Sequence, residues 1–218
     1  MGKLLVLDGL DCSGKETQTK ILEEKLIKMG FVVNRVSFPN YSEKSSSLVT
    51  LYLNGEIYKN PFLVNPWAAS SFYACDRYIS YEKNWKESYL KGDVLLADRY
   101  ISSNIIHQMP KLEKDRWEYF INWVYDYEII KLGLPKEDML IYLDIDPLFS
   151  SNLLAKKKTP LDIHEENLSY LKACREAALF AAEKLNWFVL KCYNENEVFS
   201  IDVISRKIEE LISCKFLI

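Results

Sequence analysis

The sequence has little net charge and no long apolar run. Its 28 lysine and arginine residues nearly balance 31 aspartate and glutamate residues, so the formal net charge is only −3. Because no excess of cations is available to displace the counterions of a nucleic acid, general nucleic-acid binding is not expected. No stretch approaches the roughly 18 apolar residues that a membrane-spanning helix needs, and the N-terminus lacks a signal-peptide layout. The sequence therefore predicts a cytoplasmic protein with neither a nucleic-acid nor a membrane partner.

Cysteine and histidine are also scarce. The five cysteines are odd in number and scattered, without a C-x-x-C pair, which favours reduced and mostly buried thiols in a cytosolic protein. The two histidines, His107 and His164, have no metal-ligand spacing, so a zinc site is not expected. A Ser/His/Asp triad is not found either.

What the chain does contain is a phosphate-binding pattern near its N-terminus. An apolar run at residues 4–7, short enough for a buried strand, precedes Gly9-x-x-x-x-Gly14-Lys15, and a helical pattern follows. This order is the context of a P-loop, whose backbone N–H groups and helix N-terminus bind phosphate. The predicted ATP-binding residues are Gly9, Leu10, Asp11, Cys12, Ser13, Gly14, Lys15, Glu16 and Thr17. Glu16 departs from the pattern, because it stands where a metal-binding serine or threonine is expected; Thr17 comes next.

Further strands are predicted at residues 32–38, 94–98, 139–143 and 187–190, and helical patterns separate them. The longest helix is expected from Asn65-Pro66 to about Leu90, with Gly92 ending it. Strands that alternate with helices predict one α/β domain over residues 1–218 with a parallel sheet. Ligands of such sheets bind beyond the carboxyl ends of the strands.

A charged motif follows the predicted strand at residues 94–98. Asp98 could hold Mg²⁺ beside the P-loop, and Arg99 offers a planar fork to a phosphate. The alternative is a structural ion-pair network. Residues 99–104 are expected to form a loop, with a turn at residues 105–108.

Two other clusters depend on context for their interpretation. Tyr73 and Arg77 are four residues apart on the predicted long helix, so they share a face and could together bind a flat heterocycle. The alternative is that the aromatic residues belong to the core and that Arg77 forms an ion pair at the surface. The basic run of Lys156, Lys157 and Lys158 could belong to a mobile lid at residues 156–161, or to an ordinary solvated loop.

Taken together, these residues resemble the thymidylate kinase family of P-loop nucleoside-monophosphate kinases. The resemblance covers nearly the whole chain and includes Phe38-Pro39, Phe72-Tyr73-Ala74-x-Asp76-Arg77, Asp98-Arg99-Tyr100-x-x-Ser103-Asn104 and Asp162-x-x-Glu165. It implies a three-layer P-loop NTPase fold, with a five-stranded parallel sheet flanked by helices, and a homodimer. The implied reaction transfers the γ-phosphoryl group of ATP to dTMP with Mg²⁺, giving dTDP and ADP.

The resemblance also implies roles for individual residues. Lys15 would hold ATP phosphates, Tyr73 would stack on thymine, Arg77 would face O4 and Asn104 would bond N3–H. The predicted catalytic residues are Lys15, Asp98, Arg99, Lys156, Lys157 and Lys158, and the predicted Mg²⁺ ligands are Asp98 and Thr17. The implied substrate-binding residues are Asp11, Phe38, Pro39, Tyr41, Phe72, Tyr73, Arg77, Arg99, Ser103, Asn104, His107, Gln108, Asp162 and Glu165, and His107 would crowd the 2′ side of the sugar.

Departures from the family pattern leave two alternatives open. Asn40-Tyr41 stands where many members carry an arginine for the acceptor phosphate, and neither the P-loop nor the lid contains an arginine. The lid lysines would then substitute as point charges, without the bidentate fork. One alternative is a deoxynucleoside kinase that acts on thymidine or a related deoxynucleoside. The other is a nucleotide-binding protein with impaired catalysis.

Overall fold

The centre of the molecule is a parallel sheet of five strands. The computed structural model describes residues 1–154 and 160–216. The strands are β1 (Lys3–Gly9), β2 (Val33–Ser37), β3 (Val94–Asp98), β4 (Met139–Asp144) and β5 (Phe188–Lys191), in the spatial order β2-β3-β1-β4-β5. All four pairings are parallel, which confirms the predicted P-loop fold with its five-stranded sheet.

Helices cover both faces of this sheet. They are α1 (Lys15–Lys28), α2 (Ser47–Leu53), α3 (Pro66–Ser80), α4 (Lys86–Lys91), α5 (Ile101–Gln108), α6 (Trp117–Tyr125), α7 (Pro147–Leu154), α8 (Leu168–Leu185) and α9 (Ile201–Lys215). On one face α1 and α9 pack against alternate strand residues such as Leu5 and Leu96. On the other, α5, α6 and α8 pack against Leu4 and Leu95. Because helices bury both faces, the central strands are apolar almost throughout.

The register of β1 with β3 brings two polar strand ends together. Leu7 of β1 lies opposite Asp98 of β3. The P-loop, which follows β1, and Arg99, which follows β3, therefore begin at the same edge of the sheet. Phe38 and Pro39, joined by a cis peptide bond, follow β2 at this edge as well. The predicted gathering of polar segments at the carboxyl ends of the strands is confirmed.

Three expectations are wrong in detail. Residues 101–108 form helix α5 rather than a loop and a turn, because Ile101 and Ile105 lie one turn apart and are both fully buried. The long helix is interrupted by a π-type turn at Tyr81–Trp85 between α3 and α4. Of the five cysteines, Cys174 and Cys192 are buried, whereas Cys12, Cys75 and Cys214 are exposed.

In the described ranges, no helix combines the length and apolar character needed to cross a bilayer.

Candidate active site

A cavity of about 670 Å³ opens at the carboxyl edge of the sheet. The P-loop, the end of β2, helix α3, the end of β3 and helix α5 all contribute to its wall. Most of the predicted site residues meet there: Asp11, Cys12, Gly14, Lys15, Glu16, Thr17, Phe38, Pro39, Tyr41, Tyr73, Arg77, Asp98, Arg99, Ser103, Asn104, His107, Asp162 and Glu165. This size suits a small ligand, since ligand sites are commonly about 300–1,000 Å³.

The P-loop is shaped around its lysine. Gly14 has a left-handed backbone (φ +85°) and α1 begins at the next residue, so the helix N-terminus points into the loop. Lys15 is buried and its Nζ donates a hydrogen bond to the Leu10 carbonyl oxygen at 2.8 Å. Burial, reinforced by the charge of Arg99, lowers the pKa of Lys15 from its ordinary value. A phosphate in the loop would compete with the Leu10 carbonyl for this ammonium group.

Glu16, which departs from the P-loop pattern, has a partner on its own helix. Its carboxylate lies 2.6 Å from Nζ of Lys20, one turn along α1, and its side chain is 70% exposed. The hydrogen bond from Lys20 lowers the pKa of Glu16. The negative charge is therefore paired and solvated, which weakens its repulsion of a phosphate in the loop.

Arg99 connects the P-loop to α5. Its Nη2 donates to Asp11 Oδ1 at 2.5 Å, and its Nη1 donates to Nε2 of His107 at 3.1 Å and to the Gly9 carbonyl at 3.3 Å. Burial would raise the pKa of Asp11, but the charges on Arg99 and Lys15 outweigh that effect and hold it well below the usual range. The guanidinium is thus fixed beside the phosphate-binding loop and could anchor a second phosphate.

Asp8 is a site residue that the sequence reasoning missed. It is fully buried at the end of β1, where it accepts hydrogen bonds from the hydroxyls of Ser102 at 2.5 Å and Ser103 at 2.8 Å. These bonds tie the first turn of α5 to the strand that precedes the P-loop. A sequence signal did exist, because Asp8 ends an apolar run just as Asp98 does.

Tyr73, Arg77 and Asn104 form another part of the cavity wall. The edge of the Tyr52 ring supports Tyr73, with ring centroids 6.3 Å apart. Arg77 is bound to the buried carboxylate of Glu128 through Nε at 2.6 Å and Nη2 at 2.7 Å. Glu128 was also missed, since nothing in an amphipathic helical stretch distinguishes this glutamate from its solvated neighbours.

Two stacked imidazoles form another part of the wall. His107 and His164 lie with ring centroids 5.3 Å apart and planes 9° from parallel. Nε2 of His164 is 2.6 Å from the Tyr52 hydroxyl, which accepts a hydrogen bond from Lys111 at 2.9 Å. Burial, with the charge of Arg99, lowers the pKa of His107 to about 4, and burial holds the pKa of His164 well below its ordinary value. The role of His164 was not predicted.

Both histidines are expected to stay neutral and to carry their proton on Nδ1. Arg99 can only donate to Nε2 of His107. Because the Tyr52 hydroxyl accepts from Lys111, we expect it to donate its own hydrogen to Nε2 of His164. With only two histidines in the chain, ¹⁵N NMR at pH 5.5 should show two neutral Nδ1–H imidazoles. Because both pKa values lie below about 6.5, protonation favours the unfolded chain, so lowering the pH from about 6.5 towards 4 should decrease the free energy of unfolding. An imidazolium spectrum at pH 5.5 would contradict this assignment.

The acidic pair bordering the predicted lid forms a reciprocal turn. Asp162 Oδ1 accepts the backbone N–H groups of His164 at 2.8 Å and Glu165 at 3.0 Å, while Glu165 Oε2 accepts the Asp162 N–H at 3.1 Å. Burial, together with the charge of Asp11, raises the pKa of Asp162 to about 6. The turn holds both carboxylates at the cavity wall.

Some predicted residues lie elsewhere. Those behind or outside the cavity wall are Gly9, Leu10, Ser13, Phe72 and Gln108. Leu10 and Gln108 are fully buried, and Phe72 packs against the cluster that contains Val49 and Tyr52. Lys156, Lys157 and Lys158 fall outside the described residues. An unpredicted cation, Arg35 on β2, lines the cavity and pairs with Glu23 at 2.7 Å.

The cavity wall fits a magnesium ion that is bound mainly by phosphates and water. Across residues 1–154 and 160–216 no cluster of three or more histidine, cysteine, aspartate or glutamate side chains is arranged to hold a metal. Mg²⁺ in phosphoryl-transfer sites commonly takes only one or two carboxylates beside phosphate and water oxygens. Asp98, a buried carboxylate whose pKa burial raises, and the exposed Thr17 hydroxyl both line the cavity and could supply such ligands.

Comparison with known proteins agrees with this geometry. The sequence model of the thymidylate kinase family matches residues 7–202. A probable thymidylate kinase 1 from Saccharolobus solfataricus is 27% identical over 95% of this chain and 100% of its own length. A probable thymidylate kinase from Caldivirga maquilingensis is 24% identical over 84% of this chain and 82% of its own length. The solved thymidylate kinase of Candida albicans shares the fold, with a TM-score of 0.73 at 21% identity over 98% of this chain and 92% of that one. The chain therefore belongs to the thymidylate kinase family and is an ATP-dependent kinase.

Proposed function

We propose that the cavity is where the γ-phosphoryl group of ATP is transferred to dTMP, giving dTDP and ADP. One observation carries this proposal: the P-loop lysine and the Asp11–Arg99 pair lie in the same cavity as Tyr73, Arg77 and Asn104. A phosphate-binding end and a base-binding end in one cavity suit an acceptor that has both a phosphate and a flat base. Phosphoryl transfer needs mainly positioning and charge neutralisation, so the proposed reaction requires no nucleophilic triad.

The proposed roles follow from charge and shape. The P-loop backbone and Lys15 bind ATP phosphates, and Arg99 binds the acceptor phosphate with its planar fork. Asp11 lies beside the acceptor sugar and orients Arg99 through their 2.5 Å contact. Tyr73 stacks on the base, and the stacked imidazoles at His107 border the sugar.

Asp98 and Thr17 are the proposed protein ligands of Mg²⁺. When bound, the ion would neutralise charge on the phosphate oxygens. Asp98 is suited to this role because it ends β3 beside the P-loop, and the charge of Lys15 acts on its carboxylate.

We further propose a cytoplasmic homodimer packed through helices. Light scattering would reveal the dimer as a particle of twice the 25.5 kDa chain mass.

A lid lysine is proposed to substitute for the missing arginine at the transferring phosphoryl group. If Lys156, Lys157 or Lys158 acts only in the transition state, its replacement by alanine should lower kcat more than it raises KM. Steady-state kinetics of the three single variants would check this, with Lys172→Ala, at an exposed position on helix α8, as the matched control. Equal rates for the wild type and all three variants would assign the run to a solvated loop.

The function is tested by the release of ADP from Mg-ATP with a panel of acceptors. Initial rates with dTMP, dUMP, dGMP and AMP should rank dTMP first. A purine monophosphate that reacts faster than dTMP would contradict the proposed acceptor. ATP binding without turnover of any acceptor would instead support a nucleotide-binding protein with impaired catalysis.

A further inference from the structure

We infer that Glu128 is a positioning residue that selects the nucleobase, by fixing which hydrogen-bonding groups Asn104 and Arg77 present to the cavity. The inference rests on the proposed function in that it takes the cavity to be the acceptor site. Glu128 itself does not line the cavity; it lies behind the wall at the π-type turn Asp126–Lys131 and is fully buried. Its carboxylate accepts hydrogen bonds from both wall residues.

The orientation of the Asn104 amide follows from these contacts. Its Nδ2 lies 2.7 Å from Glu128 Oε1 and 3.1 Å from the carbonyl oxygen of Ser70. A carboxylate paired with a guanidinium and a backbone carbonyl are both acceptors only, so the NH₂ side of the amide must face them. Both amide hydrogens are thereby used. Since Asn104 lines the cavity, its Oδ1 remains as an acceptor for a ligand.

Arg77 is restricted in the complementary way. Its Nε and Nη2 are bound by the two carboxylate oxygens of Glu128, at 2.6 and 2.7 Å. The pair uses the Nε–H group and one N–H of Nη2, so Nη1 and the second N–H of Nη2 remain as donors for a ligand, and Arg77 also lines the cavity. These two residues therefore offer an acceptor, from Asn104, and only donors, from Arg77.

That pattern matches one class of pyrimidine. Thymine and uracil carry an N3–H donor next to a carbonyl oxygen, which complements an acceptor beside a donor. Cytosine has an acceptor at N3 and an amino donor at C4, so both contacts would be mismatched. Because Asn104 and Arg77 are each only 1% exposed, a mismatch would leave buried polar groups unpaired, which is the condition for strong discrimination.

The test uses two matched ligands, dTMP and 5-methyl-2′-deoxycytidine monophosphate. They share the sugar, phosphate and methyl group and differ only at N3 and C4. Calorimetric dissociation constants should favour dTMP by at least about 10²-fold in the wild type, since two hydrogen bonds are mismatched in the other ligand. In Glu128→Gln the glutamine amide can place either a donor or an acceptor opposite Asn104, so only the Ser70 carbonyl still fixes the orientation of the Asn104 amide. This preference should therefore decrease about 10-fold or more.

Controls separate positioning from a purely structural role. If Glu128 had only a structural role, its replacement would weaken the binding of both ligands equally. The ratio of their dissociation constants would then stay unchanged, and this result would overturn the inference. Glu118→Gln, at an exposed position on α6, should keep the wild-type ratio. If Glu128→Gln does not fold, as judged by circular dichroism, Asn104→Ala removes the oriented amide while the Arg77–Glu128 pair remains. That variant should also lose selectivity about 10-fold, and an unchanged ratio would again contradict the inference.

The proposed function and this inference fail separately. Selective binding of dTMP without its turnover would support the role of Glu128 and contradict the catalytic proposal. Turnover of dTMP, together with an unchanged ratio of the two dissociation constants in Glu128→Gln and Asn104→Ala, would support the catalytic proposal and contradict the role of Glu128.

Discussion

Replacing Lys15 with methionine should lower kcat by about 10²–10³-fold, the usual effect of removing one preorganised donor to transition-state charge. Methionine is close to lysine in length but has no charge to place on the phosphates. Lys15 is buried in the P-loop, and the arginines that line the cavity, Arg35, Arg77 and Arg99, are each paired with a carboxylate of their own. ADP release at saturating Mg-ATP and dTMP measures the effect.

The matched control for this variant is Lys28→Met. Lys28 is exposed in the last turn of the same helix, away from the P-loop, so its loss should change kcat less than about twofold. Circular dichroism would show that both variants fold. If Lys15→Met retained more than about a tenth of the wild-type kcat, the phosphate-binding role of this loop would be refuted.

Replacing Arg77 with methionine should decrease the free energy of unfolding by about 3–5 kcal/mol, because it leaves a buried charge without its partner. Glu128 and Arg77 are 0% and 1% exposed, so water cannot compensate the lost ion pair. Urea denaturation followed by circular dichroism would measure the change.

The double variant Arg77→Met with Glu128→Met distinguishes the cause. Two apolar side chains of similar size need no charge partner, so the double variant should regain more than half of the lost stability, although Asn104 loses one of its acceptors. If the single variant lost less than about 1 kcal/mol, or the double variant regained nothing, the buried charge would not be the reason.

The fold was predictable where local sequence and burial agree. The apolar runs of β1, β3 and β4 lie in fully buried central strands, and Asn65 caps α3 as its sequence indicates. Helix α5 was not predicted, because its serines and asparagine favour loops and turns. Its helical conformation depends on Ile101 and Ile105 packing into the core and on the hydrogen bonds of Ser102 and Ser103 to Asp8.

The residues of the candidate site were likewise predictable where their contacts are local in sequence, and not where the contacts are long-range. Tyr73 and Arg77 were predictable as a pair, because helical spacing places residues four apart on one face. Glu128 was not, because its contact with Arg77 spans 51 residues of sequence and forms only through tertiary packing. His164 lies between the two predicted acidic residues Asp162 and Glu165, but its stacking on His107 is a long-range contact that sequence spacing does not show.

The central claim is that the cavity takes an acceptor that already carries a phosphate, which Arg99 anchors. The most direct test is the ratio of kcat/KM for dTMP to that for thymidine, with Mg-ATP as donor. A charge-assisted, bidentate phosphate contact should favour dTMP by at least about 10²-fold. Faster turnover of thymidine than of dTMP would contradict the account and identify a deoxynucleoside kinase.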